Sequence, residues 1–236
     1  MAEEASIPTG IPEPDELGTP GWVSPAVRDE FPGLSLMTTE VPGPSGRSPA
    51  RVKERLKEIS DRFHGGVAIQ LRQRPIPWAY RVFFRQIGLD PDHTRTPVEA
   101  IALERMRAGG FKSRNQLDDA LTIATIETGV ALRALDSDRV EGTVGVRESG
   151  PGESLEGGHG ELPHGTLILA DSRRPLGLLF GATAEGRGVG PDTRKIMLIA
   201  TQVKGVPAIA VEEALWLATA VMGIGRTTDA PTSRGG

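Results

Sequence analysis

At 236 residues the chain suits one domain of ordinary size with flanking tails, and with only 4% aromatic residues its core must be built from Leu, Ile, Val and Ala. The formal net charge of −4 excludes a generic polyanion binder, so any nucleic-acid contact has to come from a local basic surface. The absence of cysteine excludes a disulfide framework, a thiolate metal site and a cysteine nucleophile.

Residues 1–24 hold many Pro, Gly and acidic residues without a period and read as a loosely attached arm. The acidic start, Met1-Ala-Glu-Glu-Ala, lacks the order of a signal peptide, and no run is long and apolar enough to span a bilayer. A cytoplasmic protein is the expectation. Leu34, Leu36 and Thr38 alternate with Ser35, Met37 and Thr39, which predicts a first strand over 31–41. Ser48-Pro49 opens a helix over 49–63, with Val52, Leu56, Ile59 and Phe63 on one stripe. Residues 67–72 read as a short strand. A second helix runs from near Pro77 to Gly88, with Ala79, Val82, Phe83 and Ile87 toward the core and Arg81 and Arg85 one turn apart. Thr96 and Glu99 form a capping box for a third helix that ends at Gly109-Gly110.

Residues 115–136 are the most informative stretch. Leu117, Ala120, Leu121, Ala124 and Thr128 follow a helix period, Ile123 and Ile126 fill the adjacent face, and such an apolar helix belongs in a core. Asn115 is a good N-cap, and Gly129 is placed to end the helix in the left-handed conformation. A strand over 130–135 then turns at Asp136-Ser-Asp138. Further strands are predicted over 143–147, 166–171, 176–180 and 195–203, and a last helix over 207–222 presents Val211, Ala214, Leu215, Ala218 and Met222. The order predicts an α+β fold, with helices packed on a mostly antiparallel multi-stranded sheet. One domain is expected over 25–224, with a disordered tail over 225–236.

Between Arg72 and Arg114 nine basic residues face four acids, a local balance of 9 − 4 = +5. Arginine pairs bidentately with phosphate, so a phosphodiester partner fits this segment. On charge alone, a solvated helical surface with scattered ion pairs fits better. His159 and His164 flank a Gly-rich loop near Glu156 and Glu161, but their spacing is not a ligand pattern, and no metal and no cofactor are assigned. Residues 181–193 place small residues directly after a strand, with Glu185 and Arg187 at the rim. Small residues let a ligand approach the backbone, and on spacing alone a binding loop and a flexible hairpin are equal readings.

Pro97-Val-Glu-Ala, Arg105, Asn115-Gln-Leu-Asp-Asp119 and Glu127-Thr-Gly-Val-Ala-Leu-Arg-Ala-Leu-Asp136 resemble the editing (B3/B4) domain of the phenylalanyl-tRNA synthetase β subunit. The match continues in Gly142-Thr-Val-Gly-Val-Arg147, Gly152-Glu-Ser-Leu155, Leu167-Ile-Leu-Ala-Asp171 and Glu185-Gly-Arg-Gly-Val189, followed by Asp192-Thr193. Phe31-Pro-Gly-Leu34 and Ala79-Tyr-Arg81 resemble the additions found in free-standing versions of the domain. The synthetase's aminoacylating core has no counterpart, so aminoacylation is not expected.

The resemblance implies a single B3/B4-like domain that binds the aminoacylated 3′ end of tRNA, rather than DNA or a membrane, and hydrolyses the ester of a wrongly attached amino acid. A module that binds such an end, or a free aminoacyl-like ligand, without turnover is the alternative. Glu185 stands where the family's pocket glutamate recognises a substrate hydroxyl. Two departures accompany it: the family's Gly-Gly before this glutamate is Thr183-Ala184 here, and its turn histidine is Arg133. The expected substrate-binding residues are Glu185, Arg133, Thr183, Ala184, Gly181 and Asn115. The expected tRNA contacts are Arg81, Arg85, Arg105, Arg107, Lys112 and Arg114.

Overall fold

In a computed structural model, residues 18–43, 45–63, 65–158 and 160–224 are described. The outer arm, the tail and His159 lie outside them. Two sheets carry the fold. The first has the order β1–β3–β8–β4, all antiparallel, from β1 (Thr19–Pro20), β3 (Ser35–Pro42), β8 (Lys195–Gln202) and β4 (Ala131–Asp136). The second has the order β2–β5–β6–β7, from β2 (Trp22–Val23), β5 (Gly145–Glu148), β6 (Leu167–Ala170) and β7 (Pro175–Leu178); only β2 and β5 run parallel. The expected α+β class and mostly antiparallel pairing hold, with the strands divided between two sheets.

Register assigns the faces of the first sheet. Arg133 and Thr38 both pair with Ile199, and Ala131 and Leu36 both pair with Thr201, so these side chains share one face. That face meets the second sheet. The opposite face, with Leu132 and Ala134, lies under α6 (Gln116–Thr128) and α7 (Ala208–Gly223), which pack on each other. The core fills both gaps with Leu198, Ile199, Ala200, Leu135, Ala214 and Leu215, all fully buried.

The caps of α5 and α6 are as the sequence predicts, and the one expected at Ser48 is not: Pro49 is the N-cap of the helix over 50–62, and the Ser48 hydroxyl donates to Asp119 instead. The Asn115 side chain accepts from the Asp118 amide, Gly129 has φ 79°, and Thr96 with Glu99 completes the box on α5 (Pro97–Ala108). Gln116 adds a cap in trans: its Nε2 donates to the carbonyls of Val221, Met222 and Ile224 at the end of α7. Asp119 is 2% exposed and accepts from the Ser48 and Ser113 hydroxyls at 2.5 and 2.6 Å and from the Arg114 amide at 3.1 Å. It fastens both flanking loops to α6.

Three further expectations are corrected. The arm does not extend to residue 24, because Thr19–Pro20 and Trp22–Val23 are strands and Pro25–Glu30 forms α1. Trp22 lies on Gly145, where a Cβ would fall 2.0 Å from the indole, and its Nε1 donates to the Thr143 carbonyl. Two-residue strands in a Pro/Gly context have no period to read. The predicted strand over 67–72 is helix α3 (Gly65–Leu71), which packs on α5; a short apolar run does not distinguish the two states. In α4 (Pro75–Gln86) Ala79 and Phe83 are buried as expected, but Val82 is exposed, and Tyr80, Arg81 and Phe84 are inside as well. The remaining helix, α2 (Ala50–Arg62), packs on α6 as its stripe predicts.

Tyr80 joins α4 to the first sheet. Its hydroxyl donates to the Thr201 carbonyl at 2.5 Å and accepts from the Ala131 amide at 3.0 Å, and burial pushes the phenol pKa up. Tyr80→Phe is expected to lower stability by about 1–3 kcal/mol, because a buried carbonyl and a buried amide each lose a partner. Urea denaturation measures this; a loss within error would show that water replaces the hydroxyl.

Candidate functional site

β4 is an edge strand, and its alternating side chains define two neighbourhoods. On the face toward the second sheet, the Arg133 guanidinium reaches the loop after β7. Its Nη1 donates to the Leu178 carbonyl at 2.6 Å and its Nη2 to the Gly181 carbonyl. No carboxylate pairs with it among the described residues. Burial pushes its pKa down to about 10, which leaves it protonated at neutral pH.

The gripped loop is a tight hairpin. Leu178 N–H donates to the Ala182 carbonyl, and Ala184 N–H donates to the Leu176 carbonyl, both at 2.9 Å. Gly177 makes this possible: a Cβ there would stand 2.7 Å from the Ala182 oxygen and 3.0 Å from Thr183 Cα. Thr183 and Gly181 are exposed, while Ala184 is buried. Glu185 follows, exposed, with its amide on the Glu156 carbonyl at 2.7 Å. Its carboxylate lies over Gly157, where a Cβ would fall 2.4 Å from Oε2; Gly157 also has φ 72°. Among the described residues Glu185 has no ion-pair partner.

Arg187 does not pair with Glu185. Its guanidinium turns to Glu156 at 2.6 Å and to the Arg139 carbonyl at 2.9 Å, and its own carbonyl accepts from Asp136 N–H at the end of β4. Bonding to Arg187, reinforced by Arg174, holds the Glu156 carboxyl below the usual range. These contacts tie the loop to the β4 edge and leave Glu185 free.

The second neighbourhood is on the helix face of β4. A groove of about 430 Å³ is lined by Ser45, Asn115, Leu117, Asp118, Leu121, Ala134, Val189, Gly190 and Pro191. Asn115 lies here, with its amide on Asp118 and its oxygen accepting from Ser45. The six expected substrate residues therefore do not form one pocket: Arg133, Gly181, Thr183, Ala184 and Glu185 share the hairpin, and Asn115 is across the strand.

The expected tRNA contacts also separate. Arg81 is 4% exposed and paired with Glu99 and Asp92, so it is not available to a ligand, which corrects the surface role expected for it. Arg105 donates to the Ser60 carbonyl at 2.8 Å, and Arg114 pairs with Glu104. Arg85, Arg107 and Lys112 are exposed and in no ion pair among the described residues. Arg105, Lys112 and Arg114 border a small cavity of about 50 Å³ between α5 and α6.

Chemically, the hairpin offers a cation with unused N–H donors, an unpaired carboxylate and accessible backbone, with no nucleophile–base pair. Among the described residues no cluster of three metal-ligating side chains occurs, and no helix is long and apolar enough to cross a membrane. Gly177 and Gly157, which shape the site, are missed by sequence reasoning; an isolated strand glycine is the signal that marks such a close approach.

The model of the B3/4 domain matches residues 79–220, more than half of the chain. The chain belongs to the B3/4 domain family. Its curated relatives include the phenylalanine–tRNA ligase β subunit of Yersinia pestis, 34% identical over 100 residues, or 40% of this chain and 12% of that protein. The corresponding subunit of Gloeobacter violaceus is 32% identical over 120 residues (46% and 15%), and that of Nitrosococcus oceani 33% over 114 residues (47% and 14%). This B3/4 chain thus corresponds to a small part of the length of those subunits. The matched segment contains β4, its edge and the hairpin, so the family region and the candidate site coincide.

Proposed function

We propose that this B3/4 domain binds the aminoacylated 3′ end of a tRNA and hydrolyses the ester of a mischarged amino acid. One observation carries the reading. Arg133 and Glu185, the two positions the family resemblance singles out, bear on one hairpin: the first holds the carbonyls of Leu178 and Gly181 at its turn, and the second follows its returning arm. The Glu185 carboxylate accepts a hydrogen bond from a hydroxyl on the substrate side chain. The free donors of Arg133 meet the terminal phosphate or the developing oxyanion. Arg133 is not the base, since it stays protonated. Water, oriented by a ribose hydroxyl of the substrate, adds to the ester carbonyl; collapse breaks the bond to the ribose oxygen, which takes the proton, and releases the amino acid.

The test is a panel of mischarged tRNAs. Turnover faster than spontaneous hydrolysis on at least one is expected; none on any would remove the hydrolytic reading. Glu185→Ala is expected to weaken discrimination for a hydroxyl-bearing amino acid by about 10- to 150-fold, the value of a hydrogen bond to a charged group. Selectivity unchanged in that variant would place recognition elsewhere.

A second reading has its own observation. Arg133 is committed to two loop carbonyls, which holds the hairpin closed and suits a module that binds tRNA ends without turnover. Tight binding of aminoacyl-tRNA with no acceleration of hydrolysis would select it.

A further inference from the structure

Between Asp61 and Asp90 the sequence has five arginines and no carboxylate. The structure uses them differently. Arg81 is buried on Glu99 and Asp92, and Arg72 pairs with the same two acids from the surface. Arg74 and Arg85 are exposed and in no ion pair among the described residues. They stand at either end of a stripe on the outer face of α4, with Trp78 and Val82 between them. Trp78, Val82 and Arg85, spaced four and three residues apart, lie on one side of the helix, and Arg74 is the residue that caps its start, just outside it.

Trp78 is 51% exposed and Val82 38%, and the Arg85 guanidinium lies 5.8 Å from the centre of the indole ring. An indole this large left in water, topped by an arginine and flanked by a second, has the composition of a base-stacking platform. The apolar surface is one ring and one valine within a cationic rim. That is too little for the contiguous apolar patch of a large protein interface or a membrane anchor. It fits an unpaired nucleobase between two phosphates.

The inner face of the same helix supports the candidate site. Tyr80, Phe83 and Phe84 pack on Phe180 with ring centres 5.0–6.0 Å apart. Phe180 sits between Leu178 and Gly181, the residues whose carbonyls Arg133 holds. Stripe and hairpin therefore share one rigid support.

We propose that the outer face of α4 binds the single-stranded end of an RNA, with a base stacked on Trp78 and neighbouring phosphates on Arg74 and Arg85. This rests on the reading that the chain acts on tRNA ends, and it identifies the surface that holds the RNA.

The test is fluorescence anisotropy with a labelled single-stranded RNA of about a dozen nucleotides, within the usual site size of about 4–16. The same strand in a duplex and an uncharged tRNA are run beside it. The single strand and the tRNA are expected to bind more tightly than the duplex. Trp78→Ala is expected to weaken binding about 5- to 150-fold, with Trp78→Phe restoring most of it. Arg74→Gln and Arg85→Gln are each expected to reduce the slope of log affinity against log salt by about 0.7. Iodide quenching gives a check that needs no variant: saturating RNA should shield the exposed indole. Wild-type binding with Trp78→Ala equally tight, or with iodide quenching unchanged, overturns this surface and leaves the tRNA reading standing. No binding of any RNA at low salt, where electrostatic affinity is greatest, overturns both.

Discussion

Replacing Arg81 by methionine is expected to lower stability by about 3–5 kcal/mol, the cost of leaving one member of a buried ion pair without its partner. Arg81 Nη1 stands 2.7 Å from Glu99 Oε1, and both side chains are 5% exposed. Glu99 cannot escape to water, because its other oxygen accepts from Thr96 Oγ1 at 2.9 Å, and as the third residue of α5 it completes the capping box. One carboxylate thus closes a helix cap and neutralises a cation on another helix. Arg72, 3.2 Å from the same Glu99 but 45% exposed, gives only partial compensation through solvent. Arg81→Met/Glu99→Gln should recover part of the loss, since the uncompensated charge is then gone. Arg85→Met, on the exposed face of the same helix, should change stability by less than about 0.5 kcal/mol. Urea denaturation of the four proteins decides the matter. A loss near that of Arg85→Met would mean that water reaches Glu99 once Arg81 is gone.

The same pair shows what the sequence hides. A charge count over 72–114 treats Arg81 and Arg85 alike, and both fit a basic surface. What separates them is an acid eighteen positions away, Glu99, brought in by a turn of the fold. A helix period reads arginine as outside, so Val82 is expected inside α4 and Arg81 is not, while Ala79 and Phe83 are buried as expected. The apolar helix α6 raises no such conflict. Its cap, its glycine stop and its period all point the same way, and Asn115 and Gly129 behave as their residue types require. In α6 the signals contained within the element are legible; the burial of Arg81, which depends on a remote partner, is not.

The candidate site divides along the same line. Glu185, Gly181, Thr183 and Ala184 adjoin in the chain, so finding one finds the rest. Asn115 joins them only through the family resemblance; it caps α6, on the other side of β4, in the groove that Ala134 borders. The glycines that make room, Gly157 and Gly177, are intelligible only beside the groups they accommodate, Glu185 and the Ala182 carbonyl.

Arg133→Met should act in the opposite way to Arg81→Met, with stability kept within about 1 kcal/mol and affinity for an aminoacyl-tRNA end reduced about 10- to 100-fold. Both arginines are largely withdrawn from water, but only Arg81 has a carboxylate to strand. Arg133 is held by the carbonyls of Leu178 and Gly181, and Gly181 is exposed, so water can replace the lost donors. Removing the cation also removes its desolvation, the cause that brings its pKa down to about 10. The sign follows from that direction: the folded state resists the charged form, so at neutral pH the charge costs stability, and the cost disappears as pH rises from about 10 toward the unfolded value. Under the proposed function, a positive charge that stability does not require serves an anionic ligand; losing a hydrogen bond to a charged group is worth about 1.5–3 kcal/mol of binding. Thermal melting beside binding of an aminoacyl-tRNA gives both quantities. If Arg133→Met melts far below the wild type while binding is unchanged, the residue is a structural tie and the anion-binding role is lost.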